Sequence, residues 1–100
     1  DYSSKNTISK CLSKDSYYAF VVVGNSNTLE QNEATSNNYN GFYVTGNSNT
    51  LKKNEAKENE SDGFYVGGNS NTLKRNKATR NIYTGFVIYD ATTGNTRGYV

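Results

Sequence analysis

Histidine, methionine, proline and tryptophan are absent from this chain, and cysteine occurs once, at Cys11, in 100 residues. A lone cysteine closes no internal disulfide. Without a second thiol or any imidazole there is no metal-ligand spacing either, so neither a metal nor another cofactor is expected. Cys11 reads as a small packing residue of an early coil, with an intermolecular bridge or a reactive thiol as the alternative. No apolar run is long enough to cross a bilayer, so membrane insertion is not expected. No charged-then-apolar segment opens the chain; export signals have been removed, or the numbering starts downstream of them. The net charge of +2 is too small to point to nucleic acid. Hydrophobic residues make up only 33%, a low share for a globular core. Disordered chains share that composition, but they have no need of strictly periodic apolar residues.

Asparagine and tyrosine take up the space, with sixteen and nine copies. The stretch GNSNTL occurs at Gly24–Leu29, Gly46–Leu51 and Gly68–Leu73, each 22 residues after the last. Stacked at that pitch, the chain falls into columns. Phe20, Phe42, Phe64 and Phe86 form one, and Val22, Val44, Val66 and Ile88 another. Leu29, Leu51 and Leu73 form a third, and Leu12, Ala34, Ala56 and Ala78 a fourth. Asn32, Asn54 and Asn76 align, as do Asn37, Asn59 and Asn81, with Asp15 in that last column in the first repeat. Ile8 precedes Leu29 by 21 rather than 22, so one residue is missing between Ile8 and Phe20. After Ile88 the pattern decays, and Asn95-Thr96 arrives two residues late. The repeats run over about 2–23, 24–45, 46–67 and 68–89, with an irregular end at 90–100, all in one domain spanning 1–100.

Phe-x-Val alternates in steps of two, so Phe and Val share one face and Tyr43 or Tyr65 points the other way. β-formers crowd these segments, and Asn and Gly punctuate between them. A helix pair needs about 33 residues per repeat, more than this unit has. The fold class is therefore all-β: a three-sided solenoid of about four coils, with strands about 4.8 Å apart. The register of Gly-Asn-Ser-Asn-Thr-Leu-x-x-Asn-x-Ala-x-x-Asn followed by Gly-Phe-x-Val resembles the repeat of right-handed parallel β-helix proteins. It is most similar to the short NosD-like variety of exported proteins within the pectin-lyase-like solenoids. The resemblance covers Lys5 to Tyr89 and implies the right-handed coil. It does not select a function, since such repeats serve lyases, epimerases, glycan binders, fibres and surface proteins.

Identical side chains one coil apart form ladders. Phenylalanine rings stack along the axis. The two asparagine columns are expected inside or in the bends, bonding one another and the corner backbone. Asn59-Glu60-Ser61 is a glycosylation sequon, which an inward Asn59 would leave unmodified. Gly24, Gly46 and Gly68, and Gly41, Gly63 and Gly85, suit tight corners.

Catalysis is not expected. Glu33 and Glu55 share a column, but its next member is Lys77, and no Arg or Asp cluster flanks it. Glu58 with Arg80, and Glu30 with Lys52, read as surface pairs worth under about 1 kcal/mol each. Lys52, Lys53, Lys74 and Arg75 make a basic stripe. Tyr43 and Tyr65 form an outer aromatic column between Val21 and Val87; Tyr17, Tyr39 and Tyr83 form a second, interrupted by Ser61. Three edge strands at each end expose unpaired main-chain groups, with no helix, proline or long charged segment to plug them. The function expected is a structural subunit of an extracellular or cell-surface fibre or sheath, in which copies stack head to tail. The ends around Asn6, Thr7, Ile8 and Phe20, and around Phe86, Ile88, Thr96 and Val100, would carry the work. The alternative is a carbohydrate-binding segment of a larger exported β-helix protein. There Tyr39, Tyr43, Tyr65 and Tyr83 with Lys52, Lys53, Lys74 and Arg75 would face a cell-surface polysaccharide.

Overall fold

Short runs of β-formers broken by Asn and Gly make short strands, three to each coil. A computed structural model describes residues 4–89. The first coil holds β1 (Thr7–Ser9), β2 (Leu12–Lys14) and β3 (Phe20–Val23). The second holds β4 (Thr28–Glu30), β5 (Glu33–Thr35) and β6 (Phe42–Thr45). The third holds β7 (Thr50–Lys52), β8 (Glu55–Lys57) and β9 (Phe64–Gly67), and the fourth β10 (Thr72–Lys74), β11 (Lys77–Thr79) and β12 (Phe86–Tyr89). Each strand pairs in parallel with its counterpart one coil away. The result is three four-stranded walls: β1-β4-β7-β10, β2-β5-β8-β11 and β3-β6-β9-β12. Together they form a parallel β-solenoid of about four coils.

The core lies on the axis. Leu29, Leu51 and Leu73 enter it from the first wall, Ala34, Ala56 and Ala78 from the second, and Phe42, Phe64 and Phe86 with Val22, Val44 and Val66 from the third. The rings of Phe20, Phe42, Phe64 and Phe86 stack 4.7–4.8 Å apart and within 5° of parallel. That spacing equals the strand separation, so backbone pairing and ring stacking reinforce one another.

Every buried polar residue among those described is an asparagine. Three ladders run along the three corners: Asn32, Asn54 and Asn76; Asn37, Asn59 and Asn81; and Asn27, Asn49 and Asn71. Asn54 shows the pattern. Its backbone N–H donates to Asn76 Oδ1 (2.9 Å), and its Nδ2 donates to the same oxygen (3.1 Å) and to Leu29 O (2.8 Å). Its own Oδ1 accepts from the N–H (2.9 Å) and Nδ2 (3.1 Å) of Asn32. Nothing polar is stranded, so the amide is compatible with an otherwise apolar interior. The two expected ladders are present. The third sits inside GNSNTL, where the second asparagine reads as a turn residue.

Each corner has a further common feature. Twelve non-glycine residues have φ between 52° and 61°, and each comes immediately before a ladder position. Lys53 precedes Asn54, for instance, and Glu58 precedes Asn59. The left-handed residue turns the chain so that the next side chain points inward. Its own side chain faces outward, so Ser, Gln, Lys, Asp, Glu and Arg all serve.

The first coil corrects two placements. The sequence puts Leu12 in the Ala34 column and Asp15 in the Asn37 column. The structure pairs Leu12 with Glu33 and Ser13 with Ala34, an offset of 21. Ser16, not Asp15, donates its N–H to Asn37 Oδ1 (3.0 Å). By β3 the offset is 22 again, with Phe20 opposite Phe42. The missing residue therefore falls between Ser16 and Phe20, in the second corner. A one-residue slip inverts the faces of a strand: Leu12 is 64% exposed, while the Ser13 hydroxyl donates to Asn37 Oδ1 (3.3 Å). Asp15 becomes the left-handed residue, at φ 59°.

Gly46 and Gly68 show how closely the third corners nest. Gly46 has φ +128°, and a Cβ on it would lie 1.8 Å from the carbonyl oxygen of Gly24. Gly46→Ala is expected to lower stability by at least about 3 kcal/mol, measured by urea unfolding, because both the dihedral and the approach forbid a side chain. Asn54→Ala removes the acceptor of two Asn32 donors and the donor to Leu29 O. A loss of about 3–5 kcal/mol is expected in the same assay, at 1–3 kcal/mol for each buried group left unpaired.

Candidate functional site

Two features stand apart from the repetitive core: the rims of the coil and one aromatic corner. Among the described residues the outermost strands are β1, β2 and β3 at one rim and β10, β11 and β12 at the other. Ile8 and Phe20 are half-buried, whereas Leu29 and Phe42 one coil further in are fully buried. Asn6 donates its N–H to Asn27 Oδ1 (2.9 Å), and Thr7 beside it is exposed. At the opposite rim Phe86 is 8% exposed and Ile88 is partly buried. Thr96 and Val100 lie outside the described residues.

The rims differ chemically. In every ladder the backbone N–H points toward the fourth coil and Oδ1 accepts from the coil before. Asn76 and Asn81 therefore reach the last rim with N–H groups that meet no further ladder asparagine among the described residues. The first rim carries Asn6, Cys11 and Ser16 at the three ladder positions. Cys11 is exposed, with its thiol donating to Ser9 O (3.3 Å).

The basic stripe and the tyrosine columns are not brought together. Lys52 and Lys74 are register partners on the first wall, and Lys53 and Arg75 are left-handed residues at the first corner. Tyr43 and Tyr65 lie on the outer face of the third wall, with rings 4.9 Å apart and 6° from parallel. Glu33 and Glu55 are register partners on the second wall, followed by Lys77, and Glu33 accepts a hydrogen bond from Thr35 Oγ1 (3.0 Å). Arg80 Nε meets Glu58 Oε2 at 3.2 Å, and Glu30 is in register with Lys52. The sequon residue Asn59 is buried, its Nδ2 donating to Ala34 O and Asn81 Oδ1.

The second tyrosine column differs from expectation at its first member. The shortened corner sets two tyrosines above Tyr39. Tyr18 stacks on it (5.1 Å, 8°), and Tyr17 packs edge-on (4.8 Å, 86°). The Tyr17 phenol is held above its ordinary pKa, chiefly by its hydrogen bond with Tyr39 and by the charge Tyr39 would carry. Tyr83, 74% exposed, stands apart beyond Ser61. Beside the Tyr18–Tyr39 stack an open groove of about 560 Å³ is lined by Tyr18, Val21, Val23, Tyr39, Asn40 and Tyr43. Sequence reasoning finds Tyr39 and Tyr43 but misses Tyr18 and Asn40. The only available signal was the missing residue, which puts Tyr17-Tyr18 where one ring is due.

Among the described residues no three His, Cys, Asp or Glu side chains gather as metal ligands. No curated protein and no solved structure matches the chain. Residues 1–96 match the family described as "Periplasmic copper-binding protein (NosD)". That span takes in every coil described above, and with the three-walled parallel solenoid it places this chain in the NosD family of right-handed β-helix proteins.

Proposed function

We propose that this chain is an exported, non-catalytic scaffold whose open rims join copies end to end into a fibre or sheath at the cell surface. The family's periplasmic description supports export. The observation that carries the proposal is the difference between rim and interior. Ile8 and Phe20 hold the positions of fully buried residues yet stay half-exposed, on strands that end their sheets among the described residues. Covering them with a further coil would extend the Phe stack by placing Phe86 over Phe20, and would bury both edges.

The ladders give the contact a direction. Asn76 and Asn81 present N–H groups at one rim, and Cys11 and Ser16 hold the same ladder positions at the other, so the contact is head to tail and propagates rather than closing into a symmetric pair. The surface column Asp15, Ser36, Glu58 and Arg80 would continue from Arg80 to the next copy's Asp15, repeating the Glu58–Arg80 contact. Arg75 would meet Lys10 in the adjacent column, where both are exposed and screened by salt.

Copper, named in the family description, does not fit this chain. Copper sites draw on imidazole, thiolate and thioether donors. Here there is no His or Met and one exposed Cys. Absence of catalysis is likewise part of the proposal. It is supported by the Glu33–Glu55 column ending on Lys77, and by Glu33 being engaged with Thr35.

Light scattering and electron microscopy of the purified chain test the proposal. Concentration-dependent polymers are expected, and a monomer at all concentrations would overturn it. Phe20→Lys and Phe86→Lys are each expected to abolish polymers. Mixed, they should form one-to-one pairs through the two intact rims. Circular dichroism checks that each variant keeps its β signal.

A further inference from the structure

We propose that the groove between Tyr43 and the Tyr18–Tyr39 stack is a binding site for a neutral pyranose unit of a polysaccharide. The column on the outer face of the third wall reads Val21, Tyr43, Tyr65, Val87 in register. Tyr43 and Tyr65 stack on one another. One level above Tyr43 stands Val21, a smaller side chain than a tyrosine, and Val21, Val23 and Tyr43 all line the groove. Tyr18 and Tyr39, parallel to within 8°, close its second side. At Val87 the corner holds Tyr83 and Ser61, so among the described residues the first rim alone has two aromatic walls.

The lining chooses the ligand class. Among the described residues it comprises three phenols, two valines and one carboxamide, and no charged side chain. Asn40 Oδ1 accepts from the Asp62 N–H (3.0 Å), which holds the amide in place and leaves its Nδ2 donors for a ligand. A pyranose ring has a C–H face that packs on an aromatic ring and equatorial hydroxyls that meet phenols and amides at the rim. Tyrosine suits such a role, with an apolar body and a polar tip. An alkyl chain would leave the phenols and Asn40 without partners. An anionic polymer calls for cations, and Lys52, Lys53, Lys74 and Arg75 lie on the first wall and first corner instead. The volume of about 560 Å³ is that of an ordinary small-ligand cleft, about 300–1,000 Å³. The walls stand on β3, β6 and the corner between the second and third walls, all held by ladders, so the site is formed before a ligand arrives.

Affinity electrophoresis of the whole chain in native gels tests this, with hydroxyethyl cellulose, galactomannan and dextran as neutral polymers and polygalacturonate as the anionic one. Retardation by at least one neutral polymer is expected. Tyr43→Ala and Tyr18→Ala should each weaken it roughly tenfold, the loss of one ring contact. Tyr83→Ala and Lys52→Ala should leave it unchanged. Val21→Tyr supplies the missing ring, so it should abolish retardation while the melting temperature holds or rises. Retardation by polygalacturonate alone, or binding that survives Val21→Tyr, would overturn the proposal. So would an absence of retardation on every neutral polymer, the outcome expected of a groove that serves a protein partner. The result does not depend on whether copies polymerise, because the groove opens on the side of the coil.

Discussion

The side-chain amide that relays hydrogen bonds from coil to coil is the constraint on which this fold rests. A parallel β-helix must bend three times per turn, and each bend removes backbone groups from the ladder of the flanking strands. In this chain a left-handed residue makes the bend and an asparagine follows it. The asparagine carbonyl accepts the corner N–H of the coil before, and its amide nitrogen returns a bond to a carbonyl there. A corner that would otherwise leave buried polar groups unpaired becomes as well bonded as a strand. The 33% hydrophobic content is then no puzzle. The interior needs fewer apolar residues because three of its columns are amides bonded to one another.

Much of this was legible in the sequence, since every coil obeys the same rule. The pitch of 22, the Phe-x-Val face and two of the three amide ladders follow from residues aligning with themselves. What stayed hidden lacks either a residue type or a local mark. The left-handed positions carry six kinds of side chain, because those side chains face solvent. Asn27, Asn49 and Asn71 looked like turn residues, and only their bonding shows them to be ladder members. The pitch of 22 sets Leu12 level with Ala34 and so turns it inward. The deletion that decides the register lies further along, between Ser16 and Phe20. The same slip concealed Tyr18, so the core and the candidate groove were misjudged for one reason.

Inside and outside are nearly independent here. Strand residues alternate between core and solvent, and the left-handed residues point away from the axis. The scaffold can therefore keep its winding while its faces differ: cations on the first wall and its corner, a carboxylate pair on the second, stacked phenols on the third. An aromatic cleft can sit beside a plain surface without any change to the amide relay beneath it.

The shortened corner above Tyr39 bears on how such a molecule changes over time. The first and third corners hold strict spacing in every described coil, and the second corner alone absorbed the loss of a residue. That stretch is where the spring tolerates an altered chain length. Added residues there would bulge outward next to the stacked phenols, so growth or trimming of one bend would remodel the cleft's entrance and leave the winding intact.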